Sequence, residues 1–372
     1  MADIFSLINA KQIGGFITEL SSNSTPYLGQ VLFPNKSTDR LSLEWFKGAN
    51  GLPVALMPSS FDSKATVRER IGVSKVETEI PFFRESMRLG ELDRQKVVEL
   101  LSNTRGDVYS QEIIRRIFDD AYNLYLGAEV QAERMRMQLL STGQIDITDN
   151  STPYEYNYNM DSGHKVDVDN AWTDAENADP VADIESMLDK IEDDTGTRPT
   201  QAICSRKTFG YLKASEKIRA DMFLASGASV NAVITDDMVK ASGASVNAVI
   251  TDDMVKAYLL SKFGLTVAIY NKKYRKLGID GRPSTTSNQF FPDDVFTLIP
   301  DTTLGNTYYG RTPEEVDLLS GGSTAQIQIV GGGIAITTIK EPHPVNVQTI
   351  VSGLFLPSFE MIDTVGILNV NP

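Results

Sequence analysis

Few residues in this sequence can do redox, metal or nucleophilic chemistry. Among 372 residues there is one cysteine, Cys204, and there are two histidines, His164 and His343. One cysteine excludes an internal disulfide and fits a reducing compartment. It lies in the apolar, strand-like run Gln201-Ala-Ile-Cys-Ser205, with no histidine near in sequence to activate it. The histidines form no H-x-x-x-H spacing, and His343 sits between two prolines, where a turn is expected. No G-x-S-x-G occurs. No apolar run approaches the roughly 20 residues that span a bilayer. The N-terminus has no basic region followed by a long apolar core, so synthesis in the cytoplasm is expected. Positive charge is short as well: 35 Lys and Arg face 49 Asp and Glu, a net charge of −14. Residues 146–256 alone hold 21 acidic and 10 basic residues, −11 of that total. A broad basic groove for nucleic acid is not supported.

What is present is an ordinary globular composition, 41% apolar and 23% charged, long enough for one large domain or two to three smaller ones. Its strongest periodic signal is residues 110–143. Ile114, Ile117, Ala121, Leu124, Ala128, Met135 and Leu139 recur mostly every three or four positions, one stripe of a helix. Ser110 and Glu112 mark a start and Gly143 a stop. Arg115, Arg116, Asp119, Asp120, Glu129, Glu133, Arg134 and Arg136, with Tyr122 and Tyr125, read as its polar face. A helix of about 30 residues is about 45 Å long, beyond the usual globular length, and offers one face to its own domain and another to a neighbour.

Before it, residues 1–36 carry Ile4, Leu7, Ile8 and Ile13, a break at Gly14-Gly15, then Leu28, Val31, Leu32 and Phe33. These are too few to bury one another, so the segment reads as an arm that needs a surface outside itself. Leu41-Ser-Leu-Glu-Trp-Phe46 and Val73-Ser-Lys-Val-Glu-Thr-Glu-Ile80 alternate as two strands around an irregular middle. A two-stranded loop is marginal alone. With Trp45, Phe46, Phe61, Phe82 and Phe83 it suggests docking onto another surface.

The leading arm with Leu32-Phe33-Pro34, the hairpin ending in Glu79-Ile-Pro-Phe82, and the long helix ending in Leu139-Leu-Ser-Thr-Gly143 resemble the major capsid protein E family of tailed phages. The resemblance lies in the order of parts along nearly the whole chain. It implies an α+β chain with the Hong Kong 97-type capsid fold: N-arm 1–36, E-loop 37–88, a first part of the P-domain with the spine helix 89–170, A-domain 171–310, and closing β-strands 311–372. Phe291-Pro-Asp293 and Leu304-Gly-Asn306 follow the family's order, the first without the family's Leu between Phe and Pro.

Further along, Gln144-Ile-Asp-Ile-Thr148 and Lys165-Val-Asp-Val168 alternate as short strands around the Asn- and Tyr-rich stretch 154–159. Asp179 caps a helix with Pro180 at its first position, Val181, Ile184, Leu188 and Ile191 on one face, and Gly196 at its end. Residues 202–204 read as a strand and 207–217 as a helix. Residues 225–240 recur without a change as 241–256. A recent duplication, a functional repeat and an error in the recorded sequence compete, function having the least behind it; the second copy is better placed, because Thr251 can cap a helix reaching Gly264. Residues 265–270 form a buried strand, 271–288 a basic loop and 295–299 a strand. Residues 324–330 and 334–339 are strands joined by Gly331-Gly-Gly333, a hairpin turn rather than a phosphate loop because no helix follows. Glu341-Pro-His-Pro344 breaks the chain, and 345–355 and 365–370 are closing strands. Arg105-Gly-Asp107 reads as a loop between helices. Asp193-Asp194, Asp236-Asp237 and Asp252-Asp253 lack calcium-loop alternation, and capping explains the last two.

The resemblance implies a major capsid protein that assembles with itself as hexamers and pentamers into an icosahedral shell around double-stranded DNA, without sequence-specific binding, cofactor, metal or membrane. An encapsulin-like nanocompartment and a cytosolic hydrolase are the alternatives. Inter-subunit contact candidates are Trp45, Phe46, Phe61, Arg68, Arg70, Phe82, Phe83 and Arg84. A separate scaffolding protein, a portal and a decoration protein are the expected partners, and the virion the expected location. Covalent cross-linking through Lys47, Lys64 or Lys75 is not expected.

Overall fold

The computed structural model describes residues 10–22, 25–47, 74–92, 95, 106–148, 153–225, 250–278, 282–320, 326–342 and 345–372. The chain divides into two units. The first holds residues 1–45, 75–136 and 305–358, and the second 46–74, 137–304 and 359–372.

In the first unit a six-stranded sheet is built on β16 (Val345–Pro357). Along one side β16 pairs antiparallel with β15 (Ile334–Pro342), which pairs with β14 (Gln326–Val330). Along the other it pairs with β4 (Phe82–Leu89) and, further on, β13 (Thr307–Gly310). β1 (Asn35–Thr38) adds parallel to β13. Gly331 and Gly332, at φ 59° and 86°, make the β14–β15 hairpin turn, as expected of residues without a Cβ penalty. At the second hairpin, β15 runs to Pro342, which pairs with Val345 of β16; His343 and Pro344 of the predicted break lie outside the described residues.

Helix α1 (Ala10–Ser22) packs on β14 and β15 and completely buries Ile13 and Ile17. The expected break at Gly14-Gly15 does not occur. A Cβ on Gly14 would stand 2.4 Å from the Gln328 side chain, so this glycine permits close approach to β14 instead of ending a helix. The arm therefore finds apolar cover in its own chain, at least over this helix. The short α2 (Leu28–Leu32) follows, and Phe33 is wholly buried. Gly305 is another close approach: a Cβ there would meet the Ser358 carbonyl oxygen at 2.2 Å, while the Ser358 N–H donates to Asn306 at 2.7 Å. β2 (Ser42–Lys47) and β3 (Ser74–Glu79) pair with each other, matching the two predicted strands.

The long helix α3 covers Gly106–Thr142, 37 residues and about 55 Å at 1.5 Å per residue. It starts before the predicted Ser110, so Gly106 and Asp107 are helical rather than a loop. Gly143, at φ 72°, ends it where the sequence placed the stop. Of the stripe, Ala121, Leu124, Met135 and Leu139 are buried and Ala128 is half-buried, while the side chains of Ile114 and Ile117 lie outside the described residues. The polar face holds in the first half, where Arg115 and Asp119 are exposed, and fails in the second. Tyr125, Glu129, Glu133, Arg134 and Arg136 are buried as well, so this helix is enclosed on nearly all sides after Ala128.

The second unit centres on a five-stranded sheet in the order β7 (Lys165–Asp167), β17 (Gly366–Asn369), β12 (Val295–Ile299), β8 (Gln201–Cys204), β9 (Thr266–Ile269). Thus β16 and β17, read together in the sequence as closing strands, belong to different sheets. Helix α4 (Pro180–Thr195) is capped by Asp179, which accepts from the Ala182 N–H at 3.1 Å, and ends at left-handed Gly196. The predicted helix over 207–217 is two helices, α5 (Arg206–Ala214) and α6 (Glu216–Ala225). Ser215 leaves the helical region between them, and its carbonyl accepts from Arg219 to open the second. Thr251 caps α7 (Asp252–Phe263), as expected for the second repeat copy, while residues 226–240 of the first copy lie outside the described residues. Trp172, Ile184, Leu188, Phe209, Leu259, Phe296 and Leu368 share one core. Two ribbons complete the unit: β5 (Gln144–Ile147) with β6 (Tyr154–Asn157), and β10 (Lys273–Leu277) with β11 (Pro283–Gln289). Both involve stretches not read as strands, 154–159 and the basic loop 271–288. In β10 and β11 the alternation is in mostly polar residues, and pairing rather than burial defines them, whereas β5 buries Ile145 and Ile147.

Candidate contact surface

Of the eight contact candidates, the structure brings Phe82, Phe83 and Arg84 together at the start of β4. Trp45 and Phe46 lie in β2, with side chains outside the described residues. Phe61, Arg68 and Arg70 fall outside them altogether. Phe83 stacks on Phe355 at 4.9 Å, so it packs within the sheet. The Arg84 guanidinium sits 4.7 Å from the centre of the Phe82 ring and pairs with Glu314. Arg84 is thus engaged inside its own chain, with about half of its side chain left in solvent.

Glu314 opens α8 (Pro313–Ser320), an element the sequence reading did not pick out. Its start signal was present: Thr312 accepts from the Glu315 N–H at 3.3 Å, and Pro313, Glu314 and Glu315 follow. The helix rests against β14 and β15 and leaves Val316, Leu318 and Leu319 at 54%, 43% and 65% exposure. Val31, Leu41, Met87 and Leu92 are also exposed in this unit. Contiguous exposed apolar side chains mark interaction surfaces, though single ones need no explanation, and on α8 three occur within four residues.

Beneath this exterior a buried polar cluster fastens the arm to α3. Glu133 and Arg136 have fully buried side chains 3.6 Å apart. The Gly29 N–H donates to Glu133 Oε1 at 3.0 Å. Arg136 donates from Nη2 to Asn35 Oδ1 and from Nε to Thr307 Oγ1, each at 2.8 Å. The Thr307 hydroxyl in turn donates to the Phe33 carbonyl at 3.0 Å. A Cβ on Gly29 would lie 2.5 Å from Glu133 Oε2, so only glycine fits. Glu129, one turn away, has its carboxyl pushed above the usual range by burial, although Arg136 and the Tyr125 hydroxyl oppose this. Burial also raises the Tyr125 and Tyr309 hydroxyls. The i,i+3 spacing of Glu133 and Arg136 was visible in sequence, but their partners come from residues about a hundred or more positions away.

In the second unit, burial pushes the Cys204 thiol up to about 12, which removes it as a nucleophile at neutral pH. His164 bonds through Nε2 to Asp194 at 3.0 Å, and Lys190 holds the same carboxylate at 2.7 Å. Those contacts keep Asp194 below its usual range, Lys190 contributing most. Asp252 sits in the first turn of α7 and pairs with Lys213 and Arg206, so it serves the cap and the helix packing. His343, Asp236 and Asp237 lie outside the described residues. Among the described residues no three of His, Cys, Asp and Glu gather as metal ligands, and no helix is long and apolar enough to cross a membrane.

Residues 9–365 match the family described as phage major capsid protein E. The chain belongs to the phage major capsid protein E family. Among solved structures, a protein assigned as the capsid protein of a prophage in E. coli CFT073 aligns over 98% of this chain and 99% of its own, at 14% identity and TM-score 0.58. A phage-related protein of Bordetella bronchiseptica RB50 aligns over 96% of both chains, at 14% identity and TM-score 0.52. No curated protein sequence matches. The fold of this capsid protein is the α+β Hong Kong 97 type, and its role is that of a coat subunit of a tailed phage, self-assembling into the virion's shell.

Proposed function

We propose that this capsid protein assembles as hexamers and pentamers into an icosahedral shell that encloses packaged double-stranded DNA, without catalysis of its own. The observation that carries the reading is the family match over residues 9–365, which takes in the arm, the long helix and both units. Residues 1–36 would act as N-arm, 37–88 as E-loop, 89–170 and 311–372 as P-domain parts and 171–310 as A-domain. Trp45, Phe46, Phe61, Arg68, Arg70, Phe82, Phe83 and Arg84 would contribute contacts, joined by the exposed side chains of α8. Weak contacts suffice, because repetition in a closed shell converts each new one into an intramolecular event. A separate scaffolding protein, a portal and a decoration protein would complete the particle, made in the host cytoplasm.

Residues 36–88 carry nine basic and seven acidic residues, against −11 over 146–256, which supports steering of a slightly basic loop onto an acidic neighbour. Each exposed arginine–carboxylate pair contributes about 0.2–1 kcal/mol. Reversing Arg68 and Arg70 to Glu should leave the circular dichroism unchanged and block shell formation; normal particles at normal yield from low to high salt would end the steering idea. Electron microscopy of the purified protein tests the main reading. Shells that fill with DNA when portal and packaging proteins are coexpressed support it, shells holding protein cargo favour a nanocompartment, and no shell under any condition refutes it.

A further inference from the structure

The β10–β11 ribbon is the one strongly basic segment of an acidic unit. Residues 271–288 hold five basic residues and one acidic. Along β10 the exposed positions are Lys273, Arg275 and Leu277, alternating with half-buried Tyr274 and Lys276. Lys273 and Arg275 therefore share one face, with Leu277, itself 50% exposed, beyond the register shift that follows Arg275. Neither Lys273 nor Arg275 has an ion-pair partner among the described residues.

Elsewhere in the same unit a groove of about 310 Å³ opens between β7 and α4. Its floor is apolar, made by Val168, Met187 and Leu368, and Val166 at its rim is 39% exposed. Asp167, Asp169 and Asp183 line it. Asp183 accepts from the Trp172 indole at 2.8 Å and Asp167 from the Asn369 amide at 2.8 Å, which fix both carboxylates in place. The one lysine of the lining, Lys190, is committed to Asp194 and stands near Asp161 and Asp193, so the groove stays acidic around it.

We propose that the β10–β11 ribbon of one subunit docks into the β7–α4 groove of a second copy of this chain, Lys273 and Arg275 facing Asp167 and Asp169 and Leu277 reaching the apolar floor. The inference rests on the self-assembly reading and gives it a specific contact. Charge complementarity selects the occupant: two cations on one face of a narrow ribbon match a groove whose apolar floor also takes a side chain such as Leu277. Nucleic acid fits less well. Two aligned cations neutralise few phosphates, and the acidic surroundings oppose a polyanion.

The test is a charge swap scored by particle yield in electron microscopy and sedimentation. Lys273→Glu with Arg275→Glu, and separately Asp167→Lys with Asp169→Lys, should each keep the wild-type circular dichroism and lower shell yield at least about tenfold, roughly 1.4 kcal/mol in the assembly equilibrium. Combining all four should restore shells. Wild-type yield from either pair, or no recovery in the combination when each pair blocks, overturns the contact. Intact shells that lose their DNA in the Lys273/Arg275 variant would assign the ribbon to nucleic acid instead. A second variant separates this contact from the shell reading: Arg275→Cys with Asp169→Cys, oxidised in air with copper–phenanthroline, should give disulfide-linked multimers on a non-reducing gel. Cross-linking without shells keeps the contact and refutes the shell; shells without cross-linking do the reverse.

Discussion

Around Arg136 the first unit buries a carboxylate, a guanidinium and a hydroxyl, and joins them to the half-buried Asn35 amide and to the backbone of the arm. Around Leu188 the second unit buries aliphatic and aromatic side chains and keeps most of its ion pairs, such as Arg198 with Asp189 and Lys262 with Asp221, at the surface. The difference lies in directionality. An apolar core tolerates small displacements, whereas a buried ion pair holds only in one arrangement, because each partner is costly when unpaired in low dielectric. A fastener of the second kind suits a junction where an arm must occupy one place on a long helix. An interior of the first kind suits a domain that has only to stay folded.

The sharpest way to break that contrast is Arg136→Ala, which leaves Glu133 buried without its guanidinium. It should cost about 3–5 kcal/mol. Hydrogen exchange should show the loss in amides of α2, β1 and α3 and not in the second unit. Leu188→Ala should cost about 2–5 kcal/mol, through a cavity that α4 cannot close, with exchange rising in α4 and the five-stranded sheet. If Arg136→Ala proves the milder of the two in denaturant unfolding, the cluster is not the fastener described here. Gly29→Ala comes next, about 1–3 kcal/mol, because the added methyl must displace Glu133 or Arg136. Thr251→Ala should remove the cap of α7 for about 1 kcal/mol, confined to the second unit.

The smallest expected effect is one of sign. Burial raises the Glu129 carboxyl in the folded chain, so its contribution to stability is full below about pH 4.3, the unfolded value, and is lost as pH rises through the folded value. Glu129→Gln should therefore gain stability over wild type as pH rises from 4 to 7. Denaturant midpoints at those two pH values measure it. A gain that shrinks with rising pH would mean that Arg136 outweighs burial at this site.

Much of the fold was legible in residues that act locally. The order of arm, two-stranded loop, long helix and closing strands could be read along the chain, and it matched the family to which the chain belongs. What the contact candidates touch within the chain was not legible. Phe83 reads as a docking aromatic and packs on Phe355. Arg84 reads as a partner for a neighbour and holds Glu314. α8, with its three exposed apolar residues, lacked a long enough periodic run to stand out.

What the sequence by itself determined are the helix ends, Asp179-Pro180 to Gly196, Thr251 to Gly264, and the stop at Gly143, because a cap is a bond between residues three or four positions apart or a φ open to glycine. It also determined the β14–β15 turn and the stripe of α3. Only the tertiary structure decided that the charged side of that helix is buried from Glu129 onward, while Arg115 and Asp119 stay exposed. Glu133 meets Gly29 across 104 positions and Arg136 meets Thr307 across 171. It decided as well that Gly14 is a contact rather than a break, that β16 and β17 enter different sheets, and that β10 and β11 pair as a ribbon. In each case the deciding partner is distant in sequence, and periodicity reports only which side of an element is apolar, not what will cover the other side.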